Sequence, residues 1–215
     1  MSQRLLVTRP EHDDTTTYLS YYAKLVIKYA EEKGVPVTDF KAGTVKKETI
    51  NKFMEKQKPR LVFFNGHGGE DCIEGEKGEI IIKENENDEL LKGKITYARS
   101  CFVAVSLGKK CSAFGKGSCF IGYEFPFQFW FDETRTANPV KDKIAAIYLE
   151  PSNELVKYLI KGNLTKAAFD KSKELMIKNM NKILKENEPG ALERFKALWI
   201  NCEGQKIYGD KETSF

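Results

Sequence analysis

Short uninterrupted apolar runs alternate along this chain with longer stretches of helical period. The run at 4–8 predicts a strand, closed by Pro10. His12-Asp13-Asp14-Thr15 then offers several helix caps. Leu19, Tyr22, Ala23, Val26 and Ala30 recur at i, i+3, i+4, i+7 and i+11, which is one helix face. Gly34 and Pro36 stop that helix, and 35–40 predicts a second strand. Thr44 can cap a second helix carrying Ile50, Phe53 and Met54, which Pro59 ends. The run at 61–64 is continuously apolar, as in a strand buried on both faces of a parallel sheet.

The order β-α-β-α-β, with crossovers long enough for parallel strands, predicts an α/β fold. Such sheets carry their chemistry at the carboxyl ends of the strands. The pattern then breaks over 70–93, where a β-prone Glu79-Ile80-Ile81-Ile82-Lys83 and a polar Asn85-Glu86-Asn87-Asp88 predict a peripheral hairpin and a turn of helix at 88–91. A fourth strand is expected over 94–99, a helix from Phe102 to Leu107 ended by Gly108, and a fifth strand over 118–123. The aromatic run Phe125-Pro126-Phe127-Gln128-Phe129-Trp130-Phe131 reads either as a plug on the sheet end or as a pocket wall. From 138 to 202 the pattern is helical: Asn138-Pro139 as one start, Ser152 as a second cap, a helix ended by Gly162, a long helix after Asn163, and a last one after Pro189-Gly190. Residues 206–208 predict one more short strand.

Composition narrows this little. The 215 residues are 41% apolar and 31% charged, ordinary for one globular domain, with a net charge of +4. The lysines over 161–185 have no interleaved aromatics to stack bases, so nucleic acid is not an expected partner. The Leu5-Leu6-Val7 run is too short for a signal segment and no run suits a membrane helix, so a cytoplasmic location is expected. The five cysteines are irregularly spaced and odd in number, which argues against a disulfide framework. No C-x-x-C exists and only two histidines do, so neither metal nor cofactor is expected.

Two corners remain. Asn65-Gly66-His67-Gly68-Gly69 ends the third strand and Ala98-Arg99-Ser100-Cys101 ends the fourth. Side by side in a sheet, they place a general acid/base next to a thiol. A helix opening at Cys101 favours the thiolate through its positive end. The Gly68 and Cys101 N–H groups together can form an oxyanion hole.

These residues resemble the caspase–hemoglobinase class (clan CD) of cysteine peptidases, in gingipain-like or CHAT-like form. Leu90-Leu91-Lys92-Gly93, Phe120-Ile121-Gly122-Tyr123 with Trp130, Gly162-Asn163-Leu164-Thr165-Lys166-Ala167 and Ile207-Tyr208-Gly209-Asp210 extend the likeness over most of the chain. The resemblance implies a caspase-like three-layer sandwich: a mostly parallel central sheet flanked by helices, a helical C-terminal third, and a single peptidase domain over 1–215. It also implies a His67–Cys101 thiol protease, a protein substrate, a regulatory protein partner, and, from CHAT-type relatives, a role in bacterial defence or regulated proteolysis. In several relatives acidic groups near the first strand select a basic P1 residue. Asp13 and Asp14 stand in a comparable place, though helix capping is the simpler reading of them, and Asp132 and Glu133 follow the aromatic run beside Trp130. Arg99 departs from the pattern and is expected to put a bulky charge near the site. The competing readings are an inactive binding module on the same fold and a cysteine-dependent acyl-transfer enzyme. A receiver-type signalling domain would need a phospho-acceptor aspartate where Asn65-Gly66-His67 stands.

Overall fold

A computed structural model describes residues 2–186 and 188–215. β1 (Ser2–Arg9), α1 (Asp14–Glu32), β2 (Val37–Lys41), α2 (Lys47–Gln57) and β3 (Pro59–Asn65) follow the expected order. A hairpin of β4 (Cys72–Glu74) and β5 (Ile80–Lys83) precedes β6 (Ile95–Arg99). α3 (Leu107–Lys110) leads into β7 (Cys119–Tyr123). Then α4 (Lys143–Ile160), α5 (Thr165–Glu186) and α6 (Ala191–Gly204) run to β8 (Gln205–Gly209). The main sheet has the order β2-β1-β3-β6-β7-β8, parallel throughout except for β8, which is antiparallel to β7.

Both faces of this sheet are covered, which is why β3 reads as an unbroken apolar run from Leu61 to Phe64. Leu5, Val7, Leu61, Phe63, Ile95 and Tyr97 belong to one core with the apolar faces of α1, α4, α5 and α6. Their strand neighbours Leu6, Val62, Phe64 and Ala98 belong to a second core with Ile50 and Met54 of α2 and with Ile73, Ile81 and Ile82 of the hairpin. The result is a three-layer α/β sandwich. The hairpin lies at the rim, yet its isoleucines tie it into the second core.

Five local expectations fail, each for a visible reason. No helix starts at Phe102: residues 102–106 form turns, Phe102 has φ +61°, and α3 begins at Leu107. Gly108 lies inside α3, because a Cβ there would sit 2.9 Å from a Phe120 ring carbon, so it serves close helix–strand packing. Asn138-Pro139 starts only a short 3-10 turn, and α4 is capped instead by the buried Asp142, which accepts from Ile144 and Ala145 N–H. Ser152 is no cap either, since α4 runs through Pro151. Proline deprives the carbonyl four residues back of its donor, and that carbonyl, of Ile147, accepts instead from Asn179 Nδ2 of α5 at 2.7 Å. Finally, Thr44 turns its hydroxyl back to Lys41, and the Lys47 N–H of α2 donates to Glu79 of the hairpin connection.

Candidate active site

Three neighbouring parallel strands end level with one another. β3 pairs with β6 from Leu61↔Ile95 to Asn65↔Arg99, and β1 pairs with β3 through Val7↔Phe63. His67 and Cys101 therefore stand at equivalent steps beyond the paired ends Asn65 and Arg99, with the 10–13 loop of β1 on the far side of His67. Buried polar groups hold the ends together. Asn65 Nδ2 donates to the Thr8 carbonyl at 2.9 Å and the Asn65 N–H to the Thr8 hydroxyl at 3.0 Å, while Arg99 Nε donates to Asn65 Oδ1 at 2.9 Å.

Arg99 is fully buried, so its charge lies inside the protein beneath the strand ends and not on the open surface of the site. Its guanidinium lies over Phe63 and donates to Asn65, Ser152, Asn153 and the Leu19 carbonyl, all neutral acceptors. Burial without a carboxylate pushes it down to about 10.

The His67 corner is fixed by backbone. Gly66 adopts φ +137°, where a Cβ would meet the Glu74 carbonyl at 2.9 Å and Pro10 at 3.1 Å. The Glu74 N–H of β4 donates to the His67 carbonyl and the Gly69 N–H to the Cys72 carbonyl. Gly68 sits against the other corner, since a Cβ there would lie 2.8 Å from Val103 and 3.0 Å from Ser100 Cβ. The Glu70 carbonyl accepts from the Ser106 and Leu107 N–H groups, a second tie between the two loops.

His67 Nε2 lies 2.6 Å from Asp13 Oδ2, and the ring is partly open to solvent. Asp13 has two tasks: Oδ1 accepts the Thr16 N–H at 2.7 Å and caps α1, while Oδ2 holds the histidine. Burial alone would raise the Asp13 carboxyl, but the Thr16 N–H, His67 and the Thr16 hydroxyl outweigh it and hold it below the ordinary carboxylate value. Capping and the histidine contact thus use separate oxygens of Asp13.

Cys101 is half-buried, and the other four cysteines, all unpaired, are buried. Burial raises its thiol above the ordinary value, the Phe127 N–H partly offsets this, and the Glu74 charge adds to the rise. The expected helix-dipole help is absent because no helix opens there. Just beyond, the strained Phe102 donates its N–H to the Phe125 carbonyl and Ala104 to the Tyr123 carbonyl, tying this corner to the chain leaving β7. Among the described residues, neither the Gly68 nor the Cys101 N–H donates to a backbone carbonyl.

From Phe127 onward the aromatic run divides by parity, while Phe125 at its start is exposed. Phe127, Phe129 and Phe131 point inward, stacking from Tyr123 to Tyr18 of α1, and Asn201 of α6 clamps the Gln128 backbone on both sides. Trp130 points outward, half exposed, along a cleft of about 290 Å³ with Ile144, Pro189 and Arg194. Asp14 is exposed in the first turn of α1. Asp132 caps the short 133–135 turn that holds Glu133, and its carbonyl accepts from Tyr18, one turn beyond Asp14. Both acidic pairs therefore belong to the N-terminal end of α1.

Sequence reading missed Asn65, Asp142 and the Phe127 N–H. Asn65 had one signal, a polar residue closing an otherwise apolar strand; a backbone donor leaves none.

No protein-family model and no curated protein matches this sequence. Among solved structures, the chain is similar to caspase-1 from Spodoptera frugiperda, with a TM-score of 0.51 and 15% identity over 80% of this chain and 75% of that one. The fold is caspase-like. At that identity the likeness concerns the fold alone. Among the described residues no helix is long and apolar enough to cross a membrane.

Proposed function

We propose that this chain is a cysteine endopeptidase whose nucleophile is Cys101 and whose general acid/base is His67. The observation that carries this reading is the β3–β6 register, which sets the two at matching steps beyond Asn65 and Arg99 with Gly68 packed against Ser100. Asp13 supports it as a positioning residue. With Nε2–H donated to Asp13, the free Nδ1 is the nitrogen left to receive the Cys101 proton.

The raised thiol favours the protonated sulfur at rest. Attack of Cys101 Sγ on the scissile carbonyl forms the C–S bond as the thiol proton passes to His67 Nδ1. The resulting oxyanion accepts from the Gly68 and Cys101 N–H groups. His67 then protonates the departing amine as the C–N bond breaks. It next takes a proton from the water that attacks the thioester, and returns it to Cys101 Sγ as the C–S bond breaks and the acid leaves. The acidic groups around the α1 N-terminus, Asp14, Asp132 and Glu133, favour a basic P1 side chain, with Trp130 on the outer wall. The whole chain acts as one peptidase domain of gingipain-like or CHAT-like type, on a protein substrate within regulated proteolysis or defence.

The test is cleavage of a peptide library by the wild type, Cys101→Ala and His67→Ala. Cys101→Ala is expected to abolish turnover, and His67→Ala to lower kcat by about 10²–10⁴-fold. Asp13→Asn should lower kcat more than it changes KM and alter the pH profile, which loss of a cap alone would not do. Full turnover by a folded Cys101→Ala protein would overturn the reading.

A further inference from the structure

Around the proposed general acid/base lies a cluster that catalysis does not use in full. His12, Asp13 and His67 come from two loops, and one ligand atom of each lies within 4.8 Å of the others. Asp13 Oδ2 is 2.6 Å from His67 Nε2 and 3.7 Å from His12 Nε2, and the two rings meet edge to face at 5.8 Å. His12 has no part in the proposed peptide cleavage. The hairpin connection nevertheless holds its ring in place. Lys77 N–H donates to His12 Nδ1 at 3.1 Å, and Glu76 Oε2 lies 3.9 Å from the same nitrogen. Glu76 is itself anchored by the Glu11 N–H at 3.0 Å.

We infer that His12, Asp13 and His67 form a binding site for a divalent transition-metal ion of the Zn²⁺ class, and that its occupancy switches the enzyme off. Two imidazoles and a carboxylate are ligands that Zn²⁺ prefers, and three protein ligands leave a fourth position for water. Ligand atoms around a tetrahedral zinc lie about 3.3 Å apart, so the ion must open the His67–Asp13 hydrogen bond and draw His12 inward. Both His67 and Asp13 are partly exposed, which gives the ion a path from solvent. The cluster escapes ligand-spacing rules because its histidines are far apart in sequence and meet only through the β1–β3 pairing.

The chemistry of the switch follows from the two ring nitrogens. Facing the Asp13 carboxylate, Nε2 is the nitrogen of His67 that donates in the metal-free protein, and Nδ1 is the one left to act as base in the neutral ring. A metal on Nε2 moves its proton to Nδ1. The nitrogen that would receive the Cys101 proton is then occupied, and Asp13 is taken as well. The same shift in His12 places a proton on Nδ1, against the Lys77 N–H. Its acceptor becomes the Glu76 carboxylate, a carboxylate–histidine–metal arrangement. Lys77, in a left-handed conformation on an exposed turn, is the element that gives way. The inhibitory consequence rests on the proposed peptidase reading; the metal site does not.

The experiment therefore starts from Cys101→Ala, which can neither cleave peptides nor offer a thiolate. Zn²⁺ is titrated calorimetrically into this protein and into Cys101→Ala carrying His12→Ala or Glu76→Gln. Co²⁺ absorption serves as a second probe, and thermal melts check folding. Cys101→Ala should bind one Zn²⁺ with a tetrahedral cobalt spectrum. Adding His12→Ala should weaken binding at least about 100-fold, and adding Glu76→Gln about 10-fold. Such binding stands even if the wild type cleaves nothing, an outcome that would refute only the peptidase reading. No zinc uptake by Cys101→Ala, or uptake that a folded His12→Ala variant leaves unchanged, would overturn the site.

Discussion

At the scale of single residues, contact between the two corners depends on one missing methyl group. Gly68 has an ordinary φ, so alanine there meets no backbone strain. What it meets is Val103 at 2.8 Å, the Cys72 carbonyl at 3.0 Å and Ser100 Cβ at 3.0 Å. Relief must come from moving the His67 loop off the Cys101 loop. Gly68→Ala should therefore cost about 1–3 kcal/mol of stability, together with a loss of kcat of about 10²-fold from misplacement. Equilibrium unfolding measured beside kcat checks this; unchanged kcat in a destabilised variant would separate Gly68 from the chemistry. The thiol gives a second prediction. Because burial raises Cys101 above its ordinary value, the thiolate fraction, and with it the iodoacetamide rate, should rise with pH through a midpoint higher than that of a free thiol. In the native protein modification should begin at Cys101, before the buried Cys72, Cys111, Cys119 and Cys202. Mass spectrometry of the labelled peptides reads both.

At the scale of elements, α4 and α5 depend on a side chain that no pattern picks out. Pro151 leaves the Ile147 carbonyl without a helical donor, and Asn179 supplies one across the helix pair. Asn179→Ala should lower unfolding stability by about 1–2 kcal/mol, seen as a shifted urea midpoint with unchanged m-value. The same proline shows why α4 was not legible as one helix: a sequence window sees the lost donor and not the neighbour that replaces it. The central strands were legible because burial on both faces writes itself into Leu61, Val62, Phe63 and Phe64 as an unbroken run. That His67 and Cys101 stand past neighbouring strand ends was legible because each follows a β-prone stretch. The Asp13–His67 contact was not, since a capping aspartate and one that also holds an imidazole look alike until β1 and β3 are paired. The helix expected after Cys101 failed for a comparable reason. Phe102 to Ser106 is set by bonds to Phe125, Tyr123 and Glu70, all distant in sequence.

For the whole molecule, the local charge at the site opposes the overall charge. The chain carries +4, yet Glu11, Asp13, Asp14 and Glu76 collect on and beside the β1–α1 loop, with Asp132 and Glu133 near the same end of α1. Asp13 is engaged by His67 and the α1 cap, and Glu11 lies by Arg9 and Lys41. Asp14 and Glu133 are exposed, so they are free to act on a basic peptide. Asp14→Lys combined with Glu133→Lys should lower kcat/KM for an arginine-ended peptide by about 10-fold at low salt and leave a leucine-ended one nearly unchanged. The gap should narrow as salt shortens the screening length from about 10 Å at 0.1 M to about 3 Å at 1 M. A loss of equal size on both peptides would mean that the substitutions disturb the fold around the N-terminal end of α1. A loss confined to arginine but indifferent to salt would assign P1 choice to a direct contact, with the surrounding field contributing little.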